Sequence, residues 1–202
     1  MSDPPSIAAI VLAAGRSTRM GAGNKLVADI AGTPMVRHAV EAALGSRARP
    51  VIVVVGHQAD AVRAALAGLD IVIVENPDFA TGLASSLKAG IRALASDCAG
   101  ALILLGDMPL IAPAHLDRLV AAFAPGAIVV PTHRGKRGNP VLWSRRFFND
   151  LMALEGDVGA RHLIGGYAEA VAEVPVEDAA VLIDVDTPEA LLAARTAMFS
   201  SI

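Results

Sequence analysis

The strongest constraint on this chain is a rhythm. Short, almost wholly apolar runs alternate with segments in which apolar residues recur at helical spacing. "IAAIVLAA" (7–14) precedes "MVRHAVEAALGS", where Met35, Val36, Ala39, Val40, Ala43 and Leu44 fall on one helical stripe. Pro34 suits a first helical turn, with Thr33 as its cap. "PVIVVVG" then precedes a helix from Asp60, and "DIVIVEN" precedes "GLASSLKAGIRALASD", with Leu83, Leu87, Ile91 and Leu94 in line. "GALILLGD" precedes "APAHLDRLVAAFA". A strand with no polar alternation is buried on both faces, so four such units in a row imply a mostly parallel sheet covered by helices on both sides.

The rhythm breaks after Pro125. "AIVVPTHRGKRGNPVLW" reads as two strands around a basic, glycine-rich turn, a hairpin instead of a crossover. A helix, "RRFFNDLMAL", follows, then the polar "EGDVGARHLIGGY", a strand "AVLIDV" and a helix from "TPEALLAAR". With 202 residues and neither repeat nor linker, the expectation is one α/β domain, a three-layer Rossmann-like fold with a C-terminal hairpin insertion.

Composition narrows the function. A net charge of −3 with interleaved signs offers no basic face for nucleic acid. The longest apolar runs have strand length, so no membrane span is expected. A single cysteine, Cys98, excludes an intramolecular disulfide, and "MSDPPS" carries no secretory signal. A reducing cytoplasm is the expected location.

In open α/β sheets ligands bind beyond the carboxyl ends of the strands. The loops expected there span 15–25, 56–60, 76–86 and 106–109. The first gathers three glycines with Arg16, Arg19 and Lys25. Glycine lets backbone N–H groups close on a phosphate, and Arg19 and Lys25 add charge-assisted bonds. Its spacing fits neither a P-loop nor the dinucleotide fingerprint, because five residues separate Gly15 from Gly21 and Leu26 follows the lysine.

"LILLGDMPL" leaves Asp107 at a strand end, where an acid needs a partner. Mg²⁺ beside phosphates is one, and a plain turn cap before Pro109 is the other reading. Asp184 and Asp186 share a face at strand period. Asp186 serves either as a second metal ligand or, with Thr187, as a helix cap. Asn76, Asp78, Thr81, Gly82, Ser85 and Ser86 surround a helix start, where free N–H donors and hydroxyls could meet a base or simply cap. The histidines show no metal spacing, and His38 and His115 read as structural. The turn "THRGKRG" is either solvated or faces an anion.

Taken together these segments resemble a known family. "LAAGRSTRMGAGNKL" is similar to the signature of small nucleotidyltransferases of the nucleotide-diphospho-sugar transferase fold. With "VVVGHQAD", "NPDFATGLASSL", "LLGDMPL", "GNPVLW", "GDVGARHLI" and "DVDTPEAL", the chain resembles the molybdenum cofactor cytidylyltransferases over nearly its whole length. The resemblance implies that Leu12, Ala13, Ala14 and Gly15 hold nucleotide through the backbone, and that Arg19 and Lys25 grip the triphosphate. It implies Asp107 on Mg²⁺ (Mn²⁺ as an alternative) with Asp186 as second ligand, and Gly82, Ser85 and Ser86 at the base. "LAAG" and "TGLASSL" stand where guanylyl-transferring relatives carry L-A-G-G and G-P-L-A-G, which implies CTP. Residues from about 7 to 125 would bind nucleotide and those from about 126 to 202 the acceptor, Mo-molybdopterin, through Asn139, Gly156, Asp157 and Arg161. Asn139 stands where many members carry histidine. A recipient molybdoenzyme or its chaperone is the implied protein partner. Two alternatives stay open. One is nucleotidyl transfer to another acceptor, such as a sugar or polyol phosphate, or guanylyl transfer to the same pterin. The other is a nucleotide sensor or cofactor chaperone without catalysis.

Overall fold

The computed structural model describes residues 5–16 and 23–199, with only the backbone of Phe199. Strand β1 (Ile7–Ala13) lies at the centre of an eight-stranded sheet. On one side it pairs in parallel with β4 (Val51–Val55), and β4 with β5 (Val72–Glu75). On the other side it pairs in parallel with β6 (Gly100–Leu105). Next come β9 (Val141–Ser144), antiparallel to both neighbours, then β7 (Ile128–His133) and β10 (Val171–Pro175) at the edge. A small antiparallel ribbon joins β2 (Asp29–Ile30) to β3 (Thr33–Pro34).

Strand period sorts the core into two layers. Ile7, Ala9, Val11 and Ala13 of β1 face one layer with Val51, Val53 and Val55; Ile10 and Leu12 face the other with Ile52 and Val54. The first is covered by α1 (Met35–Gly45), α2 (Ala59–Ala65) and α4 (Pro113–Ala121). The second is covered by α3 (Leu83–Arg92) and α5 (Phe148–Ala153). Small side chains permit close packing: a Cβ on Gly90 of α3 would come within 2.5 Å of the Ile10 side chain in β1. The predicted hairpin exists, as Thr132 and His133 pair with Arg137 and Lys136 of β8 (Lys136–Arg137), turning at Arg134 and Gly135. Its return strand, β9, inserts between β6 and β7.

One expectation fails in the C-terminal third and one near the N-terminus. "AVLIDV" is not a strand: residues Ala179–Leu182 form a 3-10 turn, started by the Asp178 carboxylate accepting from the Ala180 N–H at 2.9 Å. Its apolar residues are buried without a ladder, for Ala180, Val181 and Val185 pack beneath the sheet's end. The strand that does form, β10, is half exposed and carries Glu173 and Pro175, so it lacks the buried-strand signal. Thr33 does not cap α1 either; it sits in β3, Pro34 occupies the cap position, and the Met35 N–H is satisfied by the Ala28 carbonyl at 2.9 Å. The last helices, α6 (Arg161–Ile164) and α7 (Pro188–Phe199), flank this region, and Thr187 caps α7 through the Ala190 N–H.

The chain runs β1, β4, β5 outward and then returns to place β6 on the opposite side of β1. That reversal creates a crevice at the carboxyl ends of β1 and β6, the position where such sheets take ligands. Gly106 keeps this end close-packed: a Cβ there would stand 3.1 Å from the Leu12 carbonyl, so the neighbouring backbone would have to give by a few tenths of an ångström.

Candidate active site

The crevice is a cleft of about 470 Å³. Leu12, Ala14, Gly15 and Arg16 from the end of β1 line one wall, and Phe79 to Leu83 with Ser86 line another. Lys25, Asp107, Asp157 and Asp186 bring charge to it. The volume suits a nucleotide, and the charged groups converge from four separate loops.

Lys25 sits in a short 3-10 turn, residues Lys25–Val27, capped by Asn24, whose Oδ1 accepts from the Leu26 N–H at 3.0 Å. Burying Leu26 turns Lys25 inward, where Nζ donates to Asp107 Oδ2 at 2.6 Å and to Asp186 Oδ1. Asp186 reaches this point because the Val185 N–H donates to the Asp107 carbonyl at 2.9 Å, docking the C-terminal segment onto the end of β6. Asp184 arrives with it. Ligand oxygens of Asp107, Asp184 and Asp186 all lie within 4.8 Å of one another.

Among the described residues, three carboxylates therefore meet one ammonium. Burial is the largest influence on Asp107 and raises its pKa; Lys25 pulls it back only in part, and Asp184 and Asp186 add to the rise. For Lys25, burial works downward but is outweighed by attraction and hydrogen bonding from Asp107 and then Asp186, so its pKa stands above the ordinary lysine value. Asp107 Oδ1 is buried with no hydrogen-bond partner among the described residues. A buried carboxylate oxygen with no hydrogen-bond partner among the described residues, in a cluster of hard oxygen donors, fits a divalent cation such as Mg²⁺ or Mn²⁺.

The second wall is built around Asn76, which is buried and donates to Ser85 Oγ at 2.8 Å and Ser86 Oγ at 3.0 Å. Its own Oδ1 accepts from the Asp78 N–H. Gly82 begins α3 with φ +119°, and a Cβ there would stand 2.3 Å from the Gly156 carbonyl. That close approach lets the 156–157 loop satisfy the start of α3: Ala84 N–H donates to the Gly156 carbonyl at 3.2 Å and Leu83 N–H to Asp157 Oδ1 at 3.3 Å.

The expected residues thus separate. Leu12, Ala14, Gly15, Lys25, Gly82, Ser86, Asp107 and Asp186 line the cleft together. Ala13 turns its side chain into the core, and Ser85 spends its hydroxyl on Asn76 and on the Asp78 and Gly82 carbonyls, so both support the wall from behind. Arg19 lies outside the described residues. Gly156 and Asp157, expected on the acceptor side, meet the start of α3, and Asp157 lines the cleft. Asn139 and Arg161 line a separate, adjoining hollow. Sequence reasoning missed Arg16, Phe79 and Leu83 as cleft residues; the first stood inside the glycine-rich loop and was the readable one.

Comparison with known proteins agrees with the fold. A family model for the MobA-like NTP transferase domain matches residues 9–176. The purine catabolism protein PucB of Bacillus subtilis is 33% identical over 207 residues, covering 96% of this chain and 98% of that protein. The bifunctional protein GlmU of Kineococcus radiotolerans is 38% identical over 150 residues, 72% of this chain. The chain spans only 30% of that GlmU's length. The crystal structure of Rv0371c from Mycobacterium tuberculosis, 31% identical, superposes with a TM-score of 0.83 over 97% of this chain and 100% of that one. The same protein has been solved in complex with manganese.

Proposed function

The chain belongs to the MobA-like NTP transferase family, and from that premise we propose that it transfers CMP from CTP to the terminal phosphate of Mo-molybdopterin, releasing pyrophosphate. The observation that carries the reading is the meeting of Lys25 with Asp107 and Asp186 at the floor of a nucleotide-sized cleft. A sensor needs to hold a nucleotide, but it does not need an ammonium and three carboxylates converging where a triphosphate would lie. The preference for cytosine is supported by "LAAG" and "TGLASSL", which differ from the guanylyl-transferring pattern at two places on the cleft wall.

In this reaction an anionic oxygen of the acceptor phosphate forms a bond to the α-phosphorus of CTP. The bond from that phosphorus to the bridging oxygen breaks, and pyrophosphate leaves with the electron pair. The attacking phosphate needs no general base, so the chain's work is positioning and neutralising charge. Backbone groups of Ala14 and Gly15 approach the phosphates, Arg16 and Lys25 face them, and the start of α3 with Ser86 flanks the base. Asp107 and Asp186, with Asp184 beside them, would hold a divalent cation. Bound there, it would supply positive charge to phosphate oxygens. Lys25 exchanges its carboxylate partners for the triphosphate when the substrate arrives. Asp157 ties the acceptor-side loop to the nucleotide wall, so the two substrates share a boundary.

The test is pyrophosphate release with Mo-molybdopterin, Mg²⁺ and CTP, GTP, ATP or UTP in parallel. Release with CTP that depends on the pterin is the expected result. Release with GTP alone would overturn the base assignment, and release only when a sugar or polyol phosphate replaces the pterin would overturn the acceptor.

A further inference from the structure

Lys25, Asp107 and Asp186 answer the charge of a triphosphate, and none of them answers the flat, neutral part of a nucleotide. Phe79 is the one aromatic side chain among the described residues that line the cleft. It opens the 3-10 turn Phe79–Thr81, in which positions three apart eclipse one another. Phe79 and Gly82 therefore lie on one side of the turn, and the Gly82 N–H donates to the Phe79 carbonyl at 3.4 Å. The ring thus stands in line with the start of α3, on the same cleft wall as Ser86.

The side chain is braced from behind by the loop after β4. A Cβ on Gly56 would come within 2.7 Å of Phe79 Cβ, 2.9 Å of its Cγ and 2.8 Å of Ala14 Cβ, so only glycine lets these three meet. The His57 ring lies 5.9 Å from the Phe79 ring, tilted by 51°. His57 is itself fixed through its backbone, as its N–H donates to the Ala14 carbonyl at 3.3 Å and its carbonyl accepts from Asn24 Nδ2 at 3.4 Å. This gives the "VVVGHQAD" segment a task at the cleft without a residue of its own in the lining. Phe79 nevertheless stays only half-buried. Apolar ring surface left at a charged cleft gains by being covered with a flat ligand face. The edges of a nucleobase carry donors and acceptors for backbone groups and hydroxyls, whereas its faces match an aromatic ring.

We infer that Phe79 is the platform on which the nucleobase of the triphosphate stacks, with Gly56 and His57 as its brace. The inference rests on the proposed use of a nucleoside triphosphate and adds the residue that takes the face of the base. Stacking tolerates any base, because every base has a face. Phe79 therefore supplies affinity for the nucleoside, and the choice among bases falls to groups that meet the edge.

Calorimetric binding to the whole protein in Mg²⁺ separates the base from the phosphates. Phe79→Leu should weaken CTP and UTP alike, about tenfold each, and bind inorganic tripolyphosphate as the wild type does. Phe79→Tyr should keep CTP affinity within about twofold. Phe79→Trp adds a second indole to a chain whose own Trp143 is fully buried, so the added emission reports the cleft. CTP should quench that emission and tripolyphosphate should not. Unchanged CTP affinity in Phe79→Leu would overturn the platform and leave the transferase reading standing. An equal loss of tripolyphosphate would do the same, since Phe79 would then only prop the wall. So would equal quenching of the added indole by CTP and tripolyphosphate. Turnover of GTP in place of CTP would overturn the cytidylyl reading, and a tenfold loss of GTP in Phe79→Leu would still support the platform. The tryptophan variant decides the question even if Phe79→Leu does not fold.

Discussion

Lys25 sits where a cation bound by the carboxylates would also sit. With Nζ bonded to both Asp107 and Asp186, it occupies the carboxylates that a divalent cation also needs. Lysine and metal thus compete until a triphosphate draws the lysine away. Lys25→Met should bind Mn²⁺ more tightly than wild type in the absence of nucleotide, read by the electron spin resonance of free Mn²⁺, yet turn over at least about 100-fold more slowly. Equal Mn²⁺ affinity in the two proteins would contradict the competition. Asp107→Ala should abolish turnover and remove the rise in melting temperature that Mn²⁺ gives the wild type; full activity would remove the metal assignment. Gly82 is a second single-residue constraint. With φ +119° and the Gly156 carbonyl 2.3 Å from a would-be Cβ, Gly82→Ala should cost about 2 kcal/mol or more, measured by urea unfolding, and weaken nucleotide binding. These residues were readable to different depths. Lys25, Gly82 and Asp107 announced themselves as a cation, a glycine and an acid in loops at strand ends. Asp157 was named only through the resemblance, and its bond to the start of α3 was not readable because it joins positions 74 residues apart.

At the scale of elements, buried strands were legible and irregular ones were not. β1, β4 and β6 carry continuous apolar runs with two buried faces, and no other element explains such runs at that length. "AVLIDV" carries the same signal for a different reason, burial under the sheet's end, and the Asp178 cap converts it into a 3-10 turn. β10 was hidden because an edge strand needs only one covered face. The turn matters for function, as it leads directly into Asp184 and Asp186. Slight burial of Asp178 works upward on its pKa, but the Ala180 N–H, then His115 and His133, outweigh it and hold the carboxyl below its ordinary value of 3.8. His115 donates from Nε2 at 2.8 Å, since its Nδ1 accepts from the Ala112 N–H. A depressed carboxylate pKa gives stability that is complete above the unfolded value and is lost as pH falls through the folded one. Relative to Asp178→Asn, the wild type should therefore lose stability below about pH 4. The loss should be modest, since the carboxylate is largely exposed. Parallel acid-unfolding curves of the two proteins would contradict the assignment.

At the scale of the molecule, the topological reversal around β1 assembles a site from loops that are far apart in sequence. Lys25 and Asp186 are separated by 161 positions, and no local pattern foretells their bond. The strand order, in contrast, follows from four strand–helix units in succession, which made the location of the cleft readable before its contents. The same reversal lets β9 enter between β6 and β7, placing Trp143 beside the nucleotide wall. Across the molecule, CTP with Mg²⁺ should raise the melting temperature by more than either alone, because a cation on the carboxylates releases Lys25 to the triphosphate. Equal shifts would contradict that coupling. Whether the chain is a cytidylyltransferase is decided by following the transferred group itself. CTP labelled at the α-phosphate should pass its label to Mo-molybdopterin, giving a product that contains cytidine and pterin in equal amounts, and Asp107→Ala should leave all label in CTP. Label that stays in CTP with the wild-type protein while nucleotide demonstrably binds, or that passes only to a different phosphate, would contradict it.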